Sequence, residues 1–142
     1  MVQRERFAWV WMAALVVLLG TYFIGVGFYA REWQALSEGQ RIGLLAIPLA
    51  LMAVVVGIDR LVARVRRGRA PAEPVDERDH AIEGRASSAG YHTLMFGTIF
   101  VGCYLPFSAD RWQIVHATLL AIAIAEVVRH GLIARGYRQG AT

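Results

Sequence analysis

Phe7 to Ala30 reads FAWVWMAALVVLLGTYFIGVGFYA, twenty-four residues without a charge. As a helix it would cover about 36 Å, enough to cross a hydrocarbon core of ~30 Å with some tilt. Its basic start (Arg4, Arg6) has the character of a signal-peptide n-region. The apolar stretch, however, is too long for an h-region, and no A-x-A pattern follows it. It reads as a retained membrane helix, with a signal peptide as the alternative.

Three more apolar runs follow. The second starts at Ile42, is uncharged through Ile58, and continues past Asp59 and Arg60 to about Val65, with Pro48 inside it. Arg60 and Arg64 can lift their charged ends to the interface while their stems stay apolar. The third covers about Ser87 to Phe107, with Pro106 marking its end, and the fourth about Trp112 to Ile133. Composition agrees. The 142 residues are 56% hydrophobic and only 18% charged, against about 25% in soluble domains, and mean hydropathy is +0.43. A disordered chain is excluded and a soluble globule disfavoured. The expectation is an all-α membrane protein: one membrane domain, residues 1–142, built as a four-transmembrane-helix bundle. Its spans are about 7–30, 42–65, 87–107 and 112–133, with a cytoplasmic loop over about 66–86.

Every one of the 15 cations is arginine, and their distribution sets the expected orientation. Arg4 and Arg6 precede the first run. Arg60, Arg64, Arg66, Arg67, Arg69, Arg78 and Arg85 lie between the second and third, and Arg129, Arg135 and Arg138 close the chain. With four spans these twelve share one side, and only Arg31, Arg41 and Arg111 fall on the other. The positive-inside rule then puts both termini in the cytoplasm of a bacterial inner membrane. Phe7, Trp9, Trp11 and Tyr91 fall at the inner interface; Phe28, Tyr29, Tyr104, Phe107 and Trp112 fall at the outer one, depths that suit amphipathic rings. The pI near 9.8 is thereby explained by topology, and no direct nucleic-acid partner is expected. The lone Cys103 rules out a disulfide framework and any Cys-x-x-Cys motif.

Small residues recur at coiled-coil spacing, in alternating three- and four-residue steps on helices two and three, four-residue steps on helix four and heptad steps on helix one. Helix two has Gly43, Ala46, Ala50, Ala53 and Gly57; helix three has Ala86, Gly90, Thr93 and Gly97; helix four has Ala117, Ala121 and Ala125; helix one has Ala13, Gly20 and Gly27. In lipid, such seams let backbones approach and drive packing, here into a left-handed bundle. The helix-two seam is the most regular and the helix-one seam the weakest. A seam of this kind serves a homodimer equally well.

Before the third span, the stretch VDERDHAIEGRASSAGYHTL begins at Val75. Asp76 suits an N-cap, and Glu77 and Asp79 suit the first turn, where the helix dipole favours acids. The spacing predicts one helix from near Asp76, forming a cytoplasmic extension that runs unbroken into the third span, with Gly84 and Gly90 as its weak points. Asp76-Glu77-Arg78-Asp79, Ile82, Arg85, Gly90-Tyr91 and Leu94 followed by an apolar span resemble a family of uncharacterised bacterial and archaeal integral membrane proteins. Those proteins have four spans and a D-E-R-[DE]-x-x-I motif entering the third. The likeness covers the whole chain in layout and Asp76 to about Gly97 in motif. His80-Ala81, Gly84 and His92 depart from the family's usual residues. The resemblance implies architecture and marks a site; it implies no reaction.

Two groups of residues stand out. The first is the interaction or structural motif Asp76, Glu77, Arg78, Asp79, Ile82, Arg85 and Tyr91, whose acids can cap the helix, pair with Arg64, Arg66 or Arg67, or meet a partner. The second is an intramembrane polar cluster. Glu126 lies about 10 Å from the inner end of helix four, with Arg129 and His130 one turn on, and Asp59, Arg60 and His92 at similar depth on other helices. An acid at such depth should face the bundle and have a partner. The histidines carry no haem or metal signature, and there is no phosphate loop, nucleophile motif or catalytic carboxylate pair. No catalytic residue, cofactor or metal is therefore expected. The bilayer is the first partner. The expected function is a non-enzymatic interaction or regulatory protein facing the cytoplasm, since the outer loops of about 11 and 4 residues offer little to bind. A cytoplasmic or membrane protein would be its partner. The alternative is a small, oligomeric, proton-linked transporter or ion pathway using Glu126. Helix one lacks the mid-membrane carboxylate that four-helix multidrug exporters need.

Overall fold

The computed structural model describes residues 3–67 and 77–138. Those residues form α1 (Gln3–Phe28), α2 (Ala30–Ala35), α3 (Glu38–Arg67), α4 (Glu77–Cys103), a 3-10 turn (Leu105–Phe107) and α5 (Arg111–Arg138). There is no strand among the described residues. The predicted all-helical class is observed. Three helices are long and apolar enough to cross a membrane: Phe7–Phe28, Glu38–Val65 and Arg111–Tyr137. The third predicted span is not among them. It forms most of α4, but Ser87, Ser88, Tyr91, His92 and Thr93 dilute the apolarity of its first half.

Helix starts explain several boundaries. Ser37 and Gln40 form a reciprocal capping box: the Gln40 N–H donates to Ser37 Oγ at 3.3 Å and the Ser37 N–H to Gln40 Oε1 at 2.9 Å. Asp110 and Gln113 repeat the device, with the Gln113 N–H on Asp110 Oδ1 at 2.9 Å and the Asp110 N–H on Gln113 Oε1 at 3.0 Å. These boxes start α3 and α5 earlier than hydropathy alone suggests. α4 is continuous through Gly84 and Gly90, as the spacing predicts, while Asp76 lies outside the described residues. It ends at Cys103, ahead of Pro106, and Cys103 is exposed at that helix end.

The chain divides into two compact units, residues 1–12 with 74–142 and residues 13–73. In the first, α4 and α5 pack along their lengths. Their close approach is made by glycine. A Cβ built on Gly97 would lie 2.6 Å from the Ala121 Cβ, and one on Gly90 would lie 2.9 Å from the Arg129 Cβ and 3.3 Å from the Ala125 carbonyl oxygen. Further along, Ile82 sits over Gly136. Rising numbers on α4 meet falling numbers on α5, so the pair is antiparallel. Ala8 of α1 joins Ala86 and Ile133 in a buried cluster against Tyr137. An apolar groove of about 260 Å³ lies over the pair, lined by Gly97, Phe100, Val101, Ala117 and Leu120, with Thr93 its polar member.

In the second unit α2 folds the connection between α1 and α3. Its Trp33 meets Tyr22 edge-on at 6.0 Å, and the Arg41 guanidinium lies 6.0 Å from the Trp33 ring centre while donating to the Gln34 carbonyl at 2.8 Å. α3 shows its helix-two seam outward: Gly43, Ala46, Ala50, Ala53 and Gly57 are all exposed, and a Cβ on either glycine meets nothing within 4 Å. Its less exposed stripe is Leu45, Pro48, Met52, Val55, Asp59 and Ala63. Pro48 lies inside the unbroken helix. The helix-one seam is also open at Gly20 and Gly27; the buried positions of α1 are instead Ala8, Leu15 and Leu19.

Large apolar side chains face outward on every long helix, among them Val17, Ile24, Ile47, Ile58, Phe96 and Ile124. Water would penalise so much exposed apolar surface, whereas lipid tails solvate it. Polar side chains within the helices bond their own backbone. The hydroxyls of Thr93, Thr98 and Thr118 donate to carbonyls one turn back, at 2.8–2.9 Å. That satisfies a hydroxyl where water is absent.

Candidate functional site

The polar centre of the first unit lies where α1 crosses α5. Phe7 and Trp11 stand one turn apart on α1, their rings stacked at 6.3 Å and 13°. Both meet His130 of α5: Phe7 edge-on at 6.0 Å, Trp11 tilted at 6.3 Å. The histidine is only 5% exposed. One turn earlier, Glu126 accepts the Trp11 indole N–H on Oε2 at 3.1 Å. The same oxygen lies 3.2 Å from His130 Nδ1, which is also 3.0 Å from the Glu126 carbonyl. A proton on Nδ1 is thus shared between the backbone and the side chain of one glutamate. The arrangement is a latch: an acid and an imidazole from α5 held by an indole donor and two aromatic faces from α1. The Glu126 side chain keeps 31% of its surface exposed, so one edge of the latch stays open.

The expected polar cluster is divided. Glu126 and His130 come together. Arg129 lays its stem across Gly90 of α4, and the residue as a whole is exposed. His92 lies at about the height of Glu126, since its neighbour Gly90 faces Ala125, but its ring is exposed and its Nδ1 is 2.7 Å from the Ser88 carbonyl. Asp59 and Arg60 belong to α3 in the other unit, Asp59 half-buried and Arg60 exposed. The member the sequence reading missed is Trp11, which it placed only in an aromatic belt. Its signal was depth. Trp11 is five residues into its span and Glu126 seven residues from the end of its own, so an indole N–H and a carboxylate share a level.

In the α4 motif, Glu77 and Arg85 are exposed, as is His80 between them, and Ile82 is half-buried over Gly136. Tyr91 is exposed, its ring edge-on to His92 at 5.7 Å. Arg78 and Asp79 lie in the helix, with side chains outside the described residues, as is Asp76. No three His, Cys, Asp or Glu side chains converge on a metal-sized site among the described residues. Compared with protein-family models, curated proteins and solved structures, the chain matches none.

Proposed function

We propose that this chain is a four-span inner-membrane protein with both termini cytoplasmic, of the kind its Asp76–Asp79 motif resembles. It acts without catalysis, by presenting the start of α4 to a protein partner. The observation that carries this reading is the division of labour within the motif. Ile82 turns inward onto α5, whereas Glu77 and Arg85 stay exposed for contact. The fourth span is α4. Its 27 residues reach about 40 Å, it pairs with α5 along its length, and its Thr93 and Thr98 hydroxyls bond backbone carbonyls one turn back. The arginine distribution supports the orientation. The latch weighs against the proton-linked alternative, because Glu126 is committed to Trp11 and His130.

Affinity capture in mild detergent from native membranes tests the reading. A partner retained by wild type and lost with Glu77→Ala/Arg78→Ala supports it; equal capture by both, or no partner for folded protein, overturns it. In the second case, proton flux that Glu126→Gln abolishes would establish the alternative. Orientation is tested separately at native Cys103, which a membrane-impermeant maleimide should reach from outside the cell.

A further inference from the structure

On α3 the outward stripe does not stop with its small residues. Gly43, Ala46, Ala50, Ala53 and Gly57 continue at the same alternating steps into Arg60 and Arg64, and position 67, again arginine, keeps the spacing. Arg60 and Arg64 are exposed, and no ion pair or hydrogen bond engages either among the described residues. Asp59, next to Arg60 in sequence, belongs to the less exposed stripe on another face. The helix is 30 residues, about 45 Å, well beyond the ~30 Å of hydrocarbon. With Ile42–Ile58 in the tails, Arg60 stands about 3 Å beyond the uncharged run and Arg64 about 9 Å beyond it. The headgroup layer is roughly 5–7 Å deep on each side, so Arg60 stands within it and Arg64 at its outer edge, where a long side chain can reach back to the phosphates.

We propose that Arg60 and Arg64 form a binding face for the phosphate of an anionic phospholipid. Guanidinium forks match phosphate oxygens in geometry and charge. The shallow stripe of Ala and Gly below them gives one acyl chain a surface to lie along. Charge selects this occupant over a second copy of the chain. The membrane holds two copies parallel, so a twofold contact on this stripe would set Arg60 and Arg64 against their own duplicates, and like charges across an interface repel. The leaflet occupied follows from the proposed orientation; the binding itself does not depend on it.

The test is native mass spectrometry of the full chain released from vesicles of mixed phosphatidylethanolamine and phosphatidylglycerol. Wild type should retain phosphatidylglycerol preferentially, and excess inorganic phosphate should leave it bound. Arg60→Gln/Arg64→Gln should lower retention by about fivefold per arginine, and Arg60→Lys/Arg64→Lys by less. Arg85→Gln/Arg135→Gln, which removes equal charge on the same proposed side from α4 and α5, should retain the lipid. Equal retention by wild type and the α3 glutamine pair overturns the proposal, as does equal loss in the Arg85/Arg135 control. Displacement by inorganic phosphate overturns it too, in favour of a free-anion site. Should the glutamine pair fail to accumulate, Arg64→Gln alone, beyond the apolar run, decides by the same comparison.

Discussion

Two small-residue seams of the same spacing meet different fates in this chain. On α4, Gly90 and Gly97 press against Ala125 and Ala121 of α5 so closely that an added methyl has no room. On α3, Gly43 and Gly57 stand open, and the seam alanines between them, Ala46, Ala50 and Ala53, are exposed. The period of a seam therefore says which face allows close approach, and not whether a partner takes it. What differs is the surrounding sequence. The α4 seam meets small residues on α5, Ala121 and Ala125, so the two backbones can close. The α3 seam sits among Leu, Ile and Val, which lipid solvates as well as protein does, and it runs on at the same spacing into Arg60 and Arg64.

The sharpest way to break this comparison is to fill both seams. Gly97→Leu should destabilise the protein by about 3 kcal/mol, because the Ala121 side chain and backbone cannot both retreat. Thermal unfolding in detergent measures this, and a loss below about 0.5 kcal/mol would mean that α4 and α5 are not tightly docked. Glu126→Ala comes next. It removes the acceptor of the Trp11 indole N–H and leaves His130 Nδ1 with the residue-126 backbone carbonyl alone, at about 2 kcal/mol. The same unfolding assay applies, and an unchanged midpoint would remove the latch from the stability of this unit.

Smaller effects refine the contrast. Asp110→Ala removes the side-chain acceptor of the α5 capping box and should cost about 1 kcal/mol. Ser37→Ala, its counterpart on α3, should cost a similar amount, so hydrogen exchange at the first turn of each helix should rise alike. Trp11→Phe keeps the ring against Phe7 and His130 but deletes the donor, for about 0.6 kcal/mol. A double-mutant cycle with Glu126→Gln would assign that energy to the pair. Smallest of all is Gly57→Leu, which should change stability by less than about 0.5 kcal/mol, since its Cβ meets nothing. A large effect there would show that the α3 seam is covered in the membrane.

The candidate site was legible in part. Glu126 announced itself as a carboxylate inside an apolar run, and His130 as a neighbour one turn away. Both facts are local, fixed by the pitch of one helix. Trp11 was not legible as a partner because it lies 115 positions away from Glu126. A match in membrane depth admits several indoles and hydroxyls. That a helix carries Glu77, Ile82 and Arg85 was legible from spacing; that Ile82 lands on Gly136 while Glu77 and Arg85 stay exposed was not.

By itself the sequence determined what short-range physics can fix. That comprises the helical class, the apolar runs, the skewed arginines, the unbroken helix entering the third run, and which faces carry small residues. Tertiary structure decided which of those faces are used. It docked the α4 seam on α5, left the α3 stripe outward, and brought Phe7 and Trp11 onto His130 and Glu126. The reason is that a helix satisfies its own backbone from neighbours four residues apart, so its existence is written locally. In lipid, however, helix pairing has no hydrophobic gradient to direct it, and the choice of partner rests on the fit of whole surfaces and a few buried polar groups.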